Sequence, residues 1–192
     1  MQWRNSPSGY GLVSIFMHWA VALLVFGLFG LGLWMVDLGY YSPWRQTAPE
    51  LHKSLGLLLF GLMLVRLLWR LLSPPPLPLS SYSRLTRLGA KYGHSLLLFG
   101  LFALLIAGYL ISTADGRGIS VFGLFEVPAL LSGIANQEDI AGWVHKYLAW
   151  GLVIFAGLHA LAALKHHFID RDTTLKRMLG RAPITSQTHQ EI

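Results

Sequence analysis

Four long apolar runs constrain the fold of this chain more strongly than any other feature of its sequence. Each run approaches or exceeds the ~20 residues that cross a hydrocarbon core of about 30 Å. Because that core holds no water to hydrogen-bond the backbone, such runs must be helical. We therefore predict an all-α integral membrane protein, a four-transmembrane-helix bundle forming a single membrane domain over residues 1–180. The predicted helices cover about residues 12–36, 51–72, 94–112 and 143–166.

Composition agrees with this prediction and limits the cofactors. Only 12% of the residues are charged and 54% are hydrophobic, whereas soluble domains carry about 25% charged residues. The chain has no cysteine, which excludes disulfides, iron–sulfur clusters, thiolate metal sites and the covalent attachment of c-type haem. A metal or cofactor must therefore be held by histidine, methionine or oxygen ligands.

The charged residues are distributed unevenly along the chain. The stretch from the end of the second run to the start of the third holds five bases and no acid, whereas the first and third loops hold six of the nine acids. Cytoplasmic loops of membrane proteins carry the excess of Lys and Arg. We therefore predict that both termini and the middle loop are cytoplasmic, with residues 181–192 as a flexible tail. The net charge of +6 then predicts contact with anionic membrane lipid and no nucleic-acid partner.

Two loops carry further patterns. Leu85 and Leu88 recur at helical spacing among basic residues, which predicts a short amphipathic turn on the cytoplasmic membrane surface. The third loop contains ISVFGLFEVPALL, residues 119–131. This segment is too short to span the membrane, and we interpret it as an interfacial cap over the outer end of the bundle.

The fourth run contains two histidines, which lie at two depths in the membrane. His145 and His159 are fourteen residues apart, which is about 21 Å along a helix. Because fourteen residues make nearly four turns, both rings project from almost the same face. Ionisable groups inside a span are costly and suggest function, although a single membrane-edge histidine is more often an interfacial hydrogen-bonding group.

Two other runs supply histidines at matching depths. The topology puts His52 level with His145 near the outer surface, and His18 level with His159 nearer the inner surface. This layout predicts two b haems stacked along the membrane normal, each with two axial imidazoles. His94 in place of His18, opposite His159, is an alternative ligand.

Other residues fit the same arrangement. Arg66 follows His52 by fourteen residues, so it faces either a propionate of the inner haem or the cytoplasmic headgroups, by snorkelling. Gly56 and Gly151 would let a flat macrocycle approach the backbone, although glycine is also common in transmembrane helices for close packing.

Two further histidines lie near the predicted inner haem. His94 opens the third run, and His166 follows His159 by seven residues on nearly the same face. Their rings would either hydrogen-bond the carbonyl groups of a quinone and transfer protons to it, or act as ordinary interfacial anchors.

Five segments together resemble bacterial cytochrome b561, over about residues 8–180. They are MHW at 17–19, ELHKSLG at 50–56, RLGAKYGH at 87–94, WVHKYLAW at 143–150 and GLHALAALKHHFIDRDTTLKRM at 157–178. The resemblance implies a four-helix, two-haem electron carrier of the bacterial inner membrane that exchanges electrons with ubiquinone. It also implies ligation of haem iron by His18 with His159 and by His52 with His145.

Part of that family acts as superoxide oxidase, passing electrons from periplasmic superoxide to ubiquinone. For this chain, Lys53 and Lys146 directly follow the outer ligands and are candidates for guiding an anion. The family pattern allows a small polar residue two positions before the first ligand. Phe16 occupies that position here, and Ser14 lies a turn before His18 as a candidate quinone contact.

Two hypotheses about function follow. In the first, the chain is a superoxide:ubiquinone oxidoreductase, or takes its electrons from another periplasmic donor. In the second, it is an electron-transfer cytochrome b subunit that serves a partner redox protein. A histidine-lined metal or proton transporter lacks the intramembrane carboxylates we would expect. The oligomeric state is not predicted by the sequence.

Overall fold

The computed structural model describes residues 2–181. Within them, four helices are long and apolar enough to cross a membrane: α1 Leu12–Val36, α2 Thr47–Leu72, α3 Arg84–Ser112 and α4 Gln137–Phe168. A short helix α5, Thr174–Met178, follows α4, and a small antiparallel hairpin joins β1 Ile119–Val121 to β2 Phe125–Val127. The predicted all-α, four-helix architecture is confirmed, with this hairpin as an unpredicted addition. Residues 182–192, nearly all of the predicted tail, lie outside the described residues.

The third helix is longer than its apolar run. The segment that we predicted as a separate amphipathic turn on the membrane surface forms instead the first turns of α3, so that prediction is wrong. Ser83 caps the helix by accepting a hydrogen bond from the Thr86 N–H at 3.1 Å, as serine commonly does at this position. Because no proline follows within the segment, the helix continues uninterrupted into the apolar run.

The second and fourth helices also begin before their apolar runs. α2 starts at Thr47 and α4 at Gln137, and the first turn of α4 carries Glu138 and Asp139. Acidic side chains at a helix N-terminus interact favourably with the helix dipole. The 32 residues of α4 make it about 48 Å long, which exceeds the hydrocarbon thickness of a bilayer.

The four long helices pack around a shared apolar core. α1 contacts α2 and α4, and α3 contacts the same two helices. Each helix contributes to one cluster of buried side chains: Val21, Leu28, Leu59, Met63, Leu101 and Leu152. Large apolar side chains such as Phe16 and Leu23 face outward, as expected for helices that are solvated by lipid.

The two ends of the bundle are built differently. At one end, which we call the basic end, the N-terminal segment binds the residues after α2: the Asn5 side-chain amide donates to the Ser73 carbonyl oxygen at 2.8 Å. The segment after α4 closes the same end, since the Trp19 indole N–H donates to the carbonyl oxygen of Met178 at 3.0 Å. At the opposite, hairpin end, the Ser54 hydroxyl binds β1 and the turn that follows it.

Candidate functional site

Two predicted ligand histidines meet at the hairpin end of the bundle. His52 lies on α2 and His145 on α4, and their ring centroids are 6.3 Å apart with the planes inclined by 73°. A metal–imidazole bond is about 2 Å long, so two imidazoles on opposite sides of one metal ion have centroids roughly 6 Å apart. The spacing of this hairpin-end pair, His52 and His145, therefore fits two axial ligands of one haem iron.

The ring of His145 is oriented by a backbone contact. Its Nδ1 lies 3.0 Å from the carbonyl oxygen of Leu104 on α3. Because a carbonyl oxygen only accepts, Nδ1 carries the proton, and Nε2 is left with a free lone pair. Metal-ligating histidines commonly donate their second ring N–H in this way. The Nδ1 of His52 is buried without a hydrogen-bond partner among residues 2–181.

Two glycines that the sequence analysis missed make room for these rings. A Cβ added at Gly108 on α3 would lie 3.0 Å from the Cε1 atom of His145, and one added at Gly32 on α1 would lie 3.3 Å from the Cε1 atom of His52. By contrast, a Cβ at Gly56 or Gly151 would meet no atom of the described residues within 4 Å. Gly32 and Gly108 therefore accommodate the imidazoles, and the role of Gly56 and Gly151 beside a macrocycle stays a prediction.

Three histidines gather toward the basic end of the bundle. The ring centroids of His94 on α3 and His159 on α4 are 5.2 Å apart, with the planes inclined by 72°. His18 on α1 lies within electrostatic reach of both rings. We call His18, His94 and His159 the basic-end cluster. A single haem iron takes two axial histidines, and this cluster has three. His18 and His94, the two predicted alternatives for the second ligand beside His159, are both present.

Arg66 enters this cluster from α2. One guanidinium nitrogen lies 3.4 Å from Nδ1 of His18. Because guanidinium only donates hydrogen bonds, Nδ1 is the acceptor, and the proton of a neutral His18 ring lies on Nε2. A metal ligand needs an unprotonated nitrogen. The cluster therefore has imidazole ligands suited to haem iron. His18 can act as a ligand only when its hydrogen bond with Arg66 is broken.

The three residues predicted to contact quinone have different neighbours. Ser14 accepts a hydrogen bond from the indole N–H of Trp69 at 3.0 Å, and His94 belongs to the basic-end cluster. His166 lies beyond both, with its ring centroid 5.2 Å from that of Tyr82 and its Nδ1 2.8 Å from an oxygen of Asp170. These side chains line one end of the bundle without touching one another in any described contact.

The two predicted anion-guiding lysines lie at the hairpin end. Lys53 is partly exposed and Lys146 is exposed, and neither makes an ion pair with any described residue. Arg117 at the same end is paired with Asp115 at 2.5 Å, and this pairing lowers the pKa of the Asp115 carboxyl. Both lysines directly follow the histidines of the pair in the sequence.

Comparison with known proteins identifies the family of this chain. The family model of prokaryotic cytochrome b561 matches residues 9–181. "Cytochrome b561 homolog 2" of Escherichia coli (strain K12) is 56% identical over 182 residues, covering 95% of this chain and 97% of that protein. "Probable superoxide oxidase CybB" of Yersinia pestis is 32% identical over 177 residues, covering 90% of this chain and 96% of that protein.

These matches confirm the resemblance drawn from the sequence motifs. They cover nearly the whole chain and include the four long apolar helices with all seven histidines of residues 9–181. The chain therefore belongs to the prokaryotic cytochrome b561 family, the haem b-binding electron-transfer proteins of bacterial membranes.

Proposed function

We propose that the protein is a di-haem cytochrome of the bacterial inner membrane that carries electrons from periplasmic superoxide to ubiquinone. In this proposal the basic end, with both termini, faces the cytoplasm, and the hairpin end faces the periplasm. The name of the Yersinia pestis relative, "Probable superoxide oxidase CybB", supports the choice of donor. The uneven charge distribution supports the orientation.

One observation carries the proposal: α4 presents His145 to the hairpin-end pair and His159 to the basic-end cluster. The interval of fourteen residues separates the two groups by about 21 Å. One helix would thus supply an axial ligand to each of two haems. His52 completes the first set of ligands, and His18 completes the second, with His94 as the alternative.

When bound, haem supplies one-electron redox chemistry at a potential that its protein surroundings tune. The protein's own groups supply ligands, orientation and exclusion of water. The Leu104 carbonyl holds the His145 ring, and the apolar core between the two sites excludes water. Arg66 is a partly buried cation beside His18 and would pair with a haem propionate, which frees Nδ1 of that ring.

The two substrates would react at opposite ends. Superoxide is an anion, so the unpaired Lys53 and Lys146 beside the hairpin-end pair would attract it. At the other end, ubiquinone would accept hydrogen bonds from His94, His166 and Ser14. Ser14 must then release the Trp69 indole or share its hydroxyl with both partners.

The test is electron transfer by the purified protein alone. Superoxide added to the oxidised holoprotein should reduce its haem within the dead time or shortly after it, and a short-chain ubiquinone should then reoxidise that haem. Superoxide dismutase, added first, should abolish the reduction. Haem that stays oxidised under superoxide while dithionite reduces it would rule out superoxide as the donor.

The hairpin supports a second candidate function. Leu124 and Phe125 are 81% and 60% exposed at an end that carries most of the chain's acids, so this surface would suit a basic partner redox protein. In that case the chain would be an electron-transfer subunit without substrate chemistry of its own. Haem reduction that requires such a partner, and does not occur with superoxide, favours this alternative.

A further inference from the structure

A compact group of ionisable side chains surrounds His166 where α4 ends. The Nδ1 atom of His166 lies 2.8 Å from Oδ2 of Asp170 and 3.2 Å from Oδ2 of Asp172. The chain reverses direction after the helix through Arg171, whose φ is +53°, a left-handed conformation that favours tight turns. Asp170 faces the imidazole through its i,i+4 spacing from His166, and this reversal brings Asp172 back onto the same ring.

The group is held in place from two other elements. The Thr174 N–H donates to Oδ1 of Asp172 at 2.8 Å, and the Thr174 hydroxyl contacts the hydroxyl of Tyr82, whose ring lies against His166. Lys165 donates to both oxygens of Asp170, at 2.8 and 2.7 Å. The charged and titratable groups facing His166 are thus Lys165, Asp170, Asp172 and Tyr82, with Arg177 near the tyrosine.

The contact atoms are buried but not fully satisfied. Among residues 2–181, Nδ1 of His166 and Oδ2 of Asp172 are shielded from solvent without an aligned hydrogen bond. The ring nitrogen lies between two carboxylates and directs its N–H at neither of them. Two such acceptors around one ring nitrogen are suited to passing a proton between them.

Both carboxylates are ionised at neutral pH. The hydrogen bond from Lys165 lowers the pKa of Asp170. Burial acts to raise the pKa of Asp172, but hydrogen bonds from Thr174 and Tyr82 and the nearby His166 leave it below its ordinary value. Each ionised carboxylate can therefore accept a proton from solvent within 2.8 or 3.2 Å of the ring nitrogen.

His166, Asp170 and Asp172 could also bind a divalent cation, since their ligand atoms lie within 4.8 Å of one another. The ammonium group of Lys165 already neutralises both oxygens of Asp170. This contact disfavours a divalent cation at Asp170. The side chain of Asp170 is 32% exposed and that of His166 is 20% exposed. Asp170 is therefore the more accessible of the two to protons from solvent.

We propose that Asp170 and Asp172 deliver protons from solvent to His166, and that His166 passes them to the quinone. This inference rests on the proposed reduction of quinone near the basic-end cluster. His166 follows His159 by seven residues, about 10 Å along the same face of α4. The reduction balances as two superoxide ions losing one electron each to become dioxygen, while the two quinone oxygens gain two electrons and two protons to form quinol.

The test follows the oxidation of reduced holoprotein by a short-chain ubiquinone in a stopped-flow instrument between pH 6 and 9. A pH-indicator dye in weak buffer records proton uptake in parallel. In the Asp170→Asn/Asp172→Asn double variant, haem oxidation and proton uptake should both slow about tenfold above pH 8 and recover as the pH falls. His166→Gln should slow both by about 100-fold at every pH, the lower range for a positioned proton donor.

His167→Gln is the matched control, since it removes the neighbouring histidine and should leave both rates unchanged. Asp172→Glu keeps the carboxylate and should keep most of the wild-type rate. It tests the relay even if the double variant fails to fold. Wild-type rates across the pH range in the double variant would overturn this inference alone. Wild-type haem that ubiquinone does not oxidise would overturn the proposed function, and this inference with it.

A second readout does not depend on electron transfer. In protein with ¹⁵N-labelled histidine, the Nδ1 resonance of His166, assigned by its loss in His166→Gln, should be shifted downfield by the two carboxylates that lie 2.8 and 3.2 Å away. In the double variant it should move upfield. The same chemical shift in both proteins would contradict the contact on which the relay depends.

Discussion

At the scale of single residues, the hairpin-end pair shows how a transmembrane helix holds an imidazole at a fixed angle. His145 is held on one side by the carbonyl oxygen of Leu104 and approached on another by the backbone of Gly108. A larger residue at position 108 would push the ring away from both contacts. The glycine therefore acts on the site although it has no functional group.

Gly108→Ala should weaken haem binding at the hairpin end. The new Cβ would lie 3.0 Å from Cε1 and 3.1 Å from Nδ1 of His145, an overpacking that costs about 1–3 kcal/mol. We expect a lower occupancy of one of the two haems, measured by a pyridine haemochrome assay. Gly61→Ala is the control, because a Cβ there meets no described atom within 4 Å. Full haem content in Gly108→Ala would contradict the packing argument.

Arg66→Gln should lower the reduction potential of the haem at the basic end. Removing a partly buried cation disfavours the added electron, by roughly 60 mV, the one-electron equivalent of about 1.4 kcal/mol. Potentiometric titration of the two haems measures the shift. Arg70→Gln, which changes an exposed arginine one turn later, should leave both potentials nearly unchanged. An unchanged or raised potential in Arg66→Gln would refute the pairing with a propionate.

The histidines could be found from the sequence because each is costly inside an apolar run, and because helix geometry converts their spacing into depth. Gly32 and Gly108 could not be found in this way. Glycine is common in transmembrane helices, and the partner of each glycine lies on another helix, so helix-to-helix packing alone selects these two. The contact between Arg66 and His18 also depends on packing between α1 and α2.

At the scale of elements, the β-hairpin is attached to α2 two residues beyond His52. Ser54 is 2% exposed, and its hydroxyl donates to the Ser120 carbonyl oxygen at 3.4 Å and accepts from the Phe122 N–H at 3.0 Å. Ile119 and Val121 are buried beside it. The segment predicted from its apolarity to cap the bundle thus packs on α2 next to the hairpin-end pair.

Ser54→Ala should loosen the hairpin. The Phe122 N–H would lose its partly buried acceptor, at a cost of about 1 kcal/mol, that of a typical hydrogen bond. Hydrogen exchange followed by mass spectrometry should show faster exchange in residues 119–127, with the rest of the bundle unaffected. Ser95→Ala removes a hydroxyl that bonds only within its own helix and should leave the hairpin unchanged. Equal exchange in Ser54→Ala and wild-type protein would show that the hydroxyl does not hold the hairpin.

The elements differ in how far their sequence determines them. The apolar runs predicted the positions of the four long helices, because length and hydropathy are local properties. The start of α3 and the pairing of the two hairpin strands were not predicted. The first ten residues of α3 are too polar to belong to an apolar run. The strands have three residues each, and β1 is stabilised by contacts with α2 and β2 by pairing with β1, which no local pattern encodes.

At the scale of the whole molecule, the difference between the two ends predicts the orientation in the membrane. Because the chain has no cysteine, a single introduced thiol reports one position without background. Ser132→Cys at the hairpin end should react with a membrane-impermeant maleimide in intact spheroplasts. Ser80→Cys at the basic end, also exposed, should react only after the membrane is permeabilised. The reverse pattern would invert the proposed topology.

In the proposed function, α4 supplies one ligand to each of two haems. Haem quantified per chain, with a dithionite-reduced minus oxidised spectrum, tests this claim in the wild-type protein and in the His145→Ala and His159→Ala variants. We predict two b haems in the wild type and one in each variant, with different spectra for the haem that remains. A wild-type chain with fewer than two haems, or a single variant that loses both or neither, would contradict it.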